Sequence, residues 1–270
     1  MNIEQATARC WLEVDLDVVA SNYRSARRIS GVQVIPVLKA NAYGLGAARL
    51  SRLLSEEGAA LFAVAELGEA LEVKRASGAD VLVLGMIAPA QMETAIREGI
   101  VATVYNIDQA MRLNDIARRL GKPARVHIKL DTGLHRLGFD PDDIGDILRV
   151  FDLPGLRVEG TFTHLALRVD AADAVQVSRF DGVIAAIRAQ GRDPGILHVC
   201  DSIGMVRHPG YRYDAVRPGA WLYGVVPTRY DNRENACRPP VRFMTRVVQV
   251  RWVKKGEYLG YDEEIGRAHV

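Results

Sequence analysis

A (β/α)8 TIM barrel followed by the start of a C-terminal β domain is the fold class this 270-residue sequence predicts, and three observations carry it. Short β-branched runs recur eight times. Between them lie stretches whose apolar residues fall three and four apart, the spacing of an amphipathic helix. After a stretch rich in Pro, Asn and charge at 227–240, the texture changes to an alternating strand pattern. Alternating β and α elements imply a parallel sheet, and eight such units in about 230 residues match a barrel, although a doubly wound open sheet yields a similar string.

The strand candidates run in order as VQVIPVLK (32–39), LFAVA (61–65), VLVLG (81–85), VATV (101–104), VHIKLD (126–131), VEGTFTH (158–164), ILHV (196–199) and DAVRPG (214–219). Helical stretches fall at 65–78, 107–121 and 176–191, each ending in Gly, the residue that most readily takes the left-handed C-cap conformation. The barrel is assigned to residues 1–228. From 241, VRFMTRVVQVRWVKKGEYLGY reads as a strand and a Lys-Lys-Gly turn, so 241–270 is the beginning of a β domain too short to bury a core of its own.

Composition excludes several classes of function. The chain is 49% hydrophobic and 25% charged, a globular profile, and 35 Lys and Arg against 33 Asp and Glu leave a formal net charge of +2. That balance gives no electrostatic case for nucleic acid or a membrane surface, so anion binding must be local. The cysteines Cys10, Cys200 and Cys237 fit neither a disulfide framework nor a metal-binding pair, and a reducing cytoplasm is expected. Neither a signal peptide nor a membrane span is expected, and the site residues imply no metal.

In a barrel the carboxyl ends of the strands make the active site. Lys39, Lys129, Asp131, His164, His198 and Arg217 all fall at or near such ends. Any one of them is as readily a salt-bridged or satisfied core group. Six on one rim are harder to read that way. A strand-end lysine, partly buried beside cations, suits Schiff-base chemistry because its amine loses a proton easily. The Gly-containing turns CDSIG (200–204) and RPGAWLYG (217–224) follow the last two strands, where barrels commonly hold phosphate. A lysine with a phosphate cradle points to pyridoxal phosphate.

KANAYGLG (39–46), KLDTGLHRLGF (129–139), THLA (163–166), DSIG (201–204), RPGAWLYG (217–224) and GEYLGYD (256–262) occur in the order and approximate spacing found in alanine racemases, and the sequence resembles that family over nearly its whole length. The opening segment at 9–27 is similar too. The resemblance implies a pyridoxal-phosphate enzyme that interconverts L- and D-alanine, supplies D-alanine for the bacterial cell wall, and works as a head-to-tail homodimer. It implies that Lys39 carries the cofactor and is one of two acid/base groups, and that Tyr261, from the partner subunit, is the other. Tyr43 and Ser202, with the backbone of Ile203, Gly204, Gly219 and Ala220, form the implied phosphate cradle. Arg217 lies against the pyridine nitrogen, His164 packs on the ring or Arg217, and Arg136 takes the cofactor's phenolic oxygen and the substrate carboxylate.

Lys129 resembles a lysine that some relatives carbamylate. A bare Lys129 beside Arg136 sets two cations together, which a carbamate, an acidic neighbour or divergence of the side chains resolves. The sequence departs from the family pattern at Leu45, where histidine is common, at Asp201, where asparagine is usual, and at 165–170. Relatives continue for roughly another hundred residues, so a fragment of a longer product is expected. Two further readings stand beside the first: a broader amino-acid racemase of the same fold, and a non-catalytic pyridoxal-phosphate carrier, since single-barrel relatives lack the β domain.

Overall fold

The computed structural model describes residues 8–227, 237–254 and 256–257. Strand β1 spans Cys10–Val14 and helix α1 Leu16–Ser30. Asp15 starts that helix, its side chain accepting the N–H of Val18, and Gly31 ends it in the left-handed conformation at φ 67°. The barrel then proceeds through β2 (Gln33–Val34), α2 (Ala47–Glu56), β3 (Leu61–Val64), α3 (Leu67–Ser77), β4 (Asp80–Val83), α4 (Met92–Arg97), β5 (Val101–Val104) and α5 (Ile107–Leu120). It continues with β6 (Ala124–Lys129), α6 (Ile144–Phe151), β7 (Leu156–Phe162), α7 (Asp170–Ala189), β8 (Ile196–His198), α8 (Ser202–Arg207) and β9 (Ala215–Val216). All eight expected strands are present, and the helix expected at 176–191 begins earlier, at Asp170.

The eight strands pair in parallel in the order β2-β9-β8-β7-β6-β5-β4-β3. The remaining edges meet just past β2, where Val37 bridges Ala63 in parallel and Leu38 donates to the Ala63 carbonyl at 2.8 Å. This closes the ring and removes the open-sheet alternative. Strands of a closed parallel barrel are covered on both faces, which is why β3 and β5 are buried at every residue. Alternate residues serve two cores: Ile35, Val37, Leu61, Ala63, Leu82, Val101 and Ala215 form one cluster, while Phe62, Val64, Val83 and Val104 belong to the larger cluster shared with the helices.

Residues Val14–Pro240 form one compact unit, and the remaining described residues belong to a second. In that second unit β1 pairs with β10, Val241–Thr245. The alternating pattern from 241 thus yields a strand of only five residues. The turn expected near Gly256 is present, with Gly256 at φ 94° and Glu257 donating its N–H to the Lys254 carbonyl.

Candidate active site

Lys39 does not end a strand. It opens a turn, Lys39–Tyr43, that is helical but left-handed, with Ala40, Asn41, Ala42 and Tyr43 at φ 52°, 53°, 54° and 57°. A left-handed turn crowds Cβ against the following carbonyl at about 1–2 kcal/mol per L-residue, so the surroundings must hold it. Glu69, in the first turn of α3, accepts the N–H of Ala40 at 2.5 Å and, through its other oxygen, that of Ala65 at 2.8 Å. Asn41 accepts the N–H of Ala47 at 2.8 Å. Gly44, at φ 89°, stops the turn and donates to the Ala40 and Asn41 carbonyls. The geometry brings Lys39 Nζ to 5.9 Å from the Tyr43 ring centroid. Lys39 itself is exposed, so the expected burial of its stem is not found.

Arg217, just past β9, is only 3% exposed. One terminal nitrogen meets His198 Nδ1 at 2.7 Å and the His198 carbonyl at 2.8 Å; the other donates to the carbonyls of Thr163 at 2.8 Å and Val199 at 3.1 Å. His164 Nδ1 lies 3.4 Å away. The guanidinium is held by carbonyl and imidazole lone pairs, and Nε–H is its one donor without a partner among the described residues. With Nδ1 of His198 accepting, its proton belongs on Nε2, which lies 2.9 Å from His127 Nδ1. Burial keeps these imidazoles neutral: it lowers His127 to about 4 and His164 to about 3, and drives His198 well below its ordinary value, with Arg217 adding repulsion in each case. Burial also brings Arg217 down to about 10, which still leaves it charged at neutral pH.

Lys129 ends β6 and is buried at 5% exposure, its Nζ donating to the Leu130 carbonyl at 2.6 Å. Burial, reinforced by the charge of Arg217, lowers its pKa to about 7. The lysine with the buried amine is therefore Lys129 rather than Lys39. Asp131 next to it organises the following loop, accepting N–H groups from Gly133 at 3.1 Å, His135 at 2.9 Å and Arg136 at 2.8 Å. Burial alone would raise its pKa, but those donors outweigh it and hold the carboxyl ionised. The loop thereby presents Arg136 to the rim.

At the other end of the cavity Ser202 Oγ accepts the N–H groups of Gly219 at 3.0 Å and Trp221 at 3.1 Å, which leaves its own O–H to donate. Asp201 Oδ1 takes the N–H groups of Ile203 at 3.0 Å and Gly204 at 2.9 Å. A Cβ at Gly219 would stand 2.6 Å from the Tyr43 hydroxyl, so only glycine leaves that hydroxyl in place. Tyr43 packs on Tyr223 at 4.7 Å between centroids, and Tyr223 donates to the Val37 carbonyl at 3.0 Å.

One cavity of about 220 Å³ gathers Lys39, Tyr43, Lys129, Arg136, His164, Ser202, Ile203, Arg217, Gly219 and Ala220. Of the residues expected at the rim or in the site, Asp131, His198 and Gly204 do not line it, and Tyr261 lies outside the described residues. Sequence reasoning gave no role to Asp201, Phe162, Val37 or Leu84, which also line the cavity, and did not find the supporting His127 or Glu69. For Asp201 a signal existed, a polar residue immediately before the Ser-Ile-Gly turn. No helix among the described residues is long and apolar enough to cross a membrane.

Residues 14–227 match the family model described as alanine racemase, N-terminal domain. The alanine racemase of Symbiobacterium thermophilum is 35% identical over 257 residues, covering 93% of this chain and 68% of that protein. An alanine racemase structure from Clostridium difficile superposes with a TM-score of 0.88 at 28% identity, covering 96% of this chain and 70% of that one. A Bartonella henselae alanine racemase with covalently bound pyridoxal phosphate has the same fold, with a TM-score of 0.80 at 23% identity over 91% of this chain and 72% of that one.

Proposed function

The chain belongs to the alanine racemase family, and on that footing we propose that it is the cofactor-binding barrel of an enzyme that interconverts L- and D-alanine with pyridoxal phosphate. One observation carries the reading: Lys39, Arg217, whose Nε–H has no partner among the described residues, and the Ser202–Gly219 cradle line a single cavity, which suits an amine, a ring-nitrogen donor and a phosphate site. The residues present fit the cofactor, since Gly219 lets the Tyr43 hydroxyl lie against the cradle where a Cβ would stand 2.6 Å from it.

Pyridoxal phosphate, when bound, supplies an electron-withdrawing ring that acidifies the α-hydrogen of alanine. Lys39 Nζ anchors it and moves the α-proton on one face. Arg217, whose four terminal hydrogens are committed to protein acceptors, offers Nε–H to the ring nitrogen and does not surrender it at neutral pH, which leaves that nitrogen unprotonated. Arg217 would thereby limit the electron withdrawal that the cofactor supplies, which would suppress side reactions that need more of it. Ser202 O–H, Tyr43 O–H and the Ala220 N–H hold the phosphate, and Arg136 takes the substrate carboxylate. Tyr261 of a second copy supplies the acid/base group on the opposite face, making the working unit a head-to-tail homodimer in the cytoplasm. Lys129, with a pKa of about 7, has a neutral amine available to attack carbon dioxide, and the resulting carbamate is the anion that Arg136 and Arg217 otherwise lack there.

Borohydride reduction of the chain loaded with pyridoxal phosphate, followed by peptide mapping, is expected to place the label on Lys39. Exchange of the α-hydrogen of alanine in deuterated water then separates racemase from carrier. Failure to bind cofactor refutes the reading, and binding without exchange makes this chain a carrier.

A further inference from the structure

Asp201 has the wrong charge for the phosphate cradle it borders. The same wall offers the Ser202 O–H and the backbone of Ala220, neutral groups suited to an anion, and Asp201 adds a carboxylate beside them. Its Oδ1 already occupies the N–H groups of Ile203 and Gly204, two donors that the sequence assigned to phosphate. Among the described residues its Oδ2 has no hydrogen-bond partner, and no Lys, Arg or His lies within ion-pair distance of it. The charge is felt across the cradle: it adds to burial in raising the Tyr43 phenol, and Tyr43 carries the hydroxyl that meets Gly219. A phosphate monoester bound here gives up two N–H donors and sits beside a carboxylate that no direct ion pair neutralises, although Arg217 feels its charge from further off, and like charges close together in a partly dry site repel strongly.

We propose that Asp201 sets the affinity of this cavity for phosphate-bearing ligands and holds it below what the cradle alone would give. The inference rests on the reading above that the cavity takes pyridoxal phosphate through its phosphate. Asn at this position keeps an acceptor for both N–H groups, so α8 remains capped while the charge is removed.

The test is equilibrium titration of the full 270-residue chain, wild type and Asp201→Asn, with pyridoxal phosphate, with pyridoxal, and with inorganic phosphate as competitor. Asp201→Asn is expected to lower the pyridoxal phosphate Kd about tenfold, to lower the inhibition constant of inorganic phosphate in parallel, and to leave pyridoxal within twofold. Asp201→Ala, which also frees the Ile203 and Gly204 N–H groups, is expected to tighten pyridoxal phosphate despite a lower melting temperature. Unchanged or weaker binding of pyridoxal phosphate to Asp201→Asn overturns the inference, as does equal tightening of pyridoxal, which would place the effect at the ring. If neither chain binds any of the three ligands, the cofactor reading itself has failed.

Discussion

Replacing Ala40 by Gly should make the protein more stable, against the usual rule that glycine weakens a helical turn. Ala40 sits at φ 52°, ψ 50°, where an L-residue forfeits about 1–2 kcal/mol that glycine does not. Glycine forfeits about 0.4–1 kcal/mol instead through the greater freedom of the unfolded chain. Ala40 is exposed, so loss of its methyl opens no cavity, and its bond to Glu69 is made by the backbone N–H, which glycine retains. The difference leaves Ala40→Gly more stable by about 0.8 kcal/mol, a rise in Tm of about 2–3 °C for a chain of this size. Ala42, at nearly the same φ but fully buried, also loses about 0.8 kcal/mol of methyl burial, so Ala42→Gly should come out near neutral. Urea unfolding of both variants followed by circular dichroism measures the pair. An Ala40→Gly protein less stable than wild type by about 1 kcal/mol or more would show that the turn is not left-handed, or that it is not strained.

Three further outcomes are expected. Gly219→Ala, at an ordinary negative φ, places a methyl 2.6 Å from the Tyr43 hydroxyl and should weaken pyridoxal phosphate binding about tenfold or more with a loss of stability under about 1 kcal/mol, read by titration and melting. The folded-state pKa values of His127 and His164 lie below that of an unfolded-chain histidine, so the unfolded state takes up protons first as pH falls. Stability present above about pH 6.5 should therefore be lost between that pH and about 4, by roughly 3 kcal/mol for His127 alone; a flat urea midpoint across this window would refute the neutral histidine pair. Intact-protein mass in bicarbonate buffer should show one carbamate that Lys129→Arg removes.

The strands were legible because a closed parallel barrel buries both faces of each, and runs such as LFAV and VATV carry that requirement in four residues. The rim residues were legible for the same reason: a charged group ending an apolar run has few explanations. What the sequence could not disclose depends on contacts between distant residues. The handedness of Lys39–Tyr43 is held by Glu69 and Gly44, and the left-handed tendency of Asn41 alone, between two alanines, does not signal a whole turn. His127 and His198 are 71 residues apart and become a pair only when β6, β7 and β8 lie side by side. The pairing of β1 with β10 joins segments more than two hundred residues apart, which alternation along either one does not reveal. The strand pattern from 241 overran, because five residues pair and the rest present Val247, Val248, Val250 and Trp252 to solvent. The burial expected of Lys39 belongs to Lys129, since a residue at the end of a strand and one opening the next turn look alike in sequence.

The charges around the cavity explain why it needs an anion. Lys129 and Arg217 are buried in one small space that the exposed Lys39 and Arg136 also line, and buried cations are tolerated only when paired or neutralised. Arg217 is held by three backbone carbonyls and His198, which satisfies its hydrogens without cancelling its charge. Lys129 answers by losing its proton near neutral pH, and His127, His164 and His198 by staying neutral there. Each adjustment lowers the positive charge without supplying a negative one. A phosphate at Ser202 and a carboxylate at Arg136 would supply it from the two ends, while Asp201 opposes only the first. On the proposed function, substrate and cofactor would be held through different groups, so that the strength of one could change by a single side chain without altering the other.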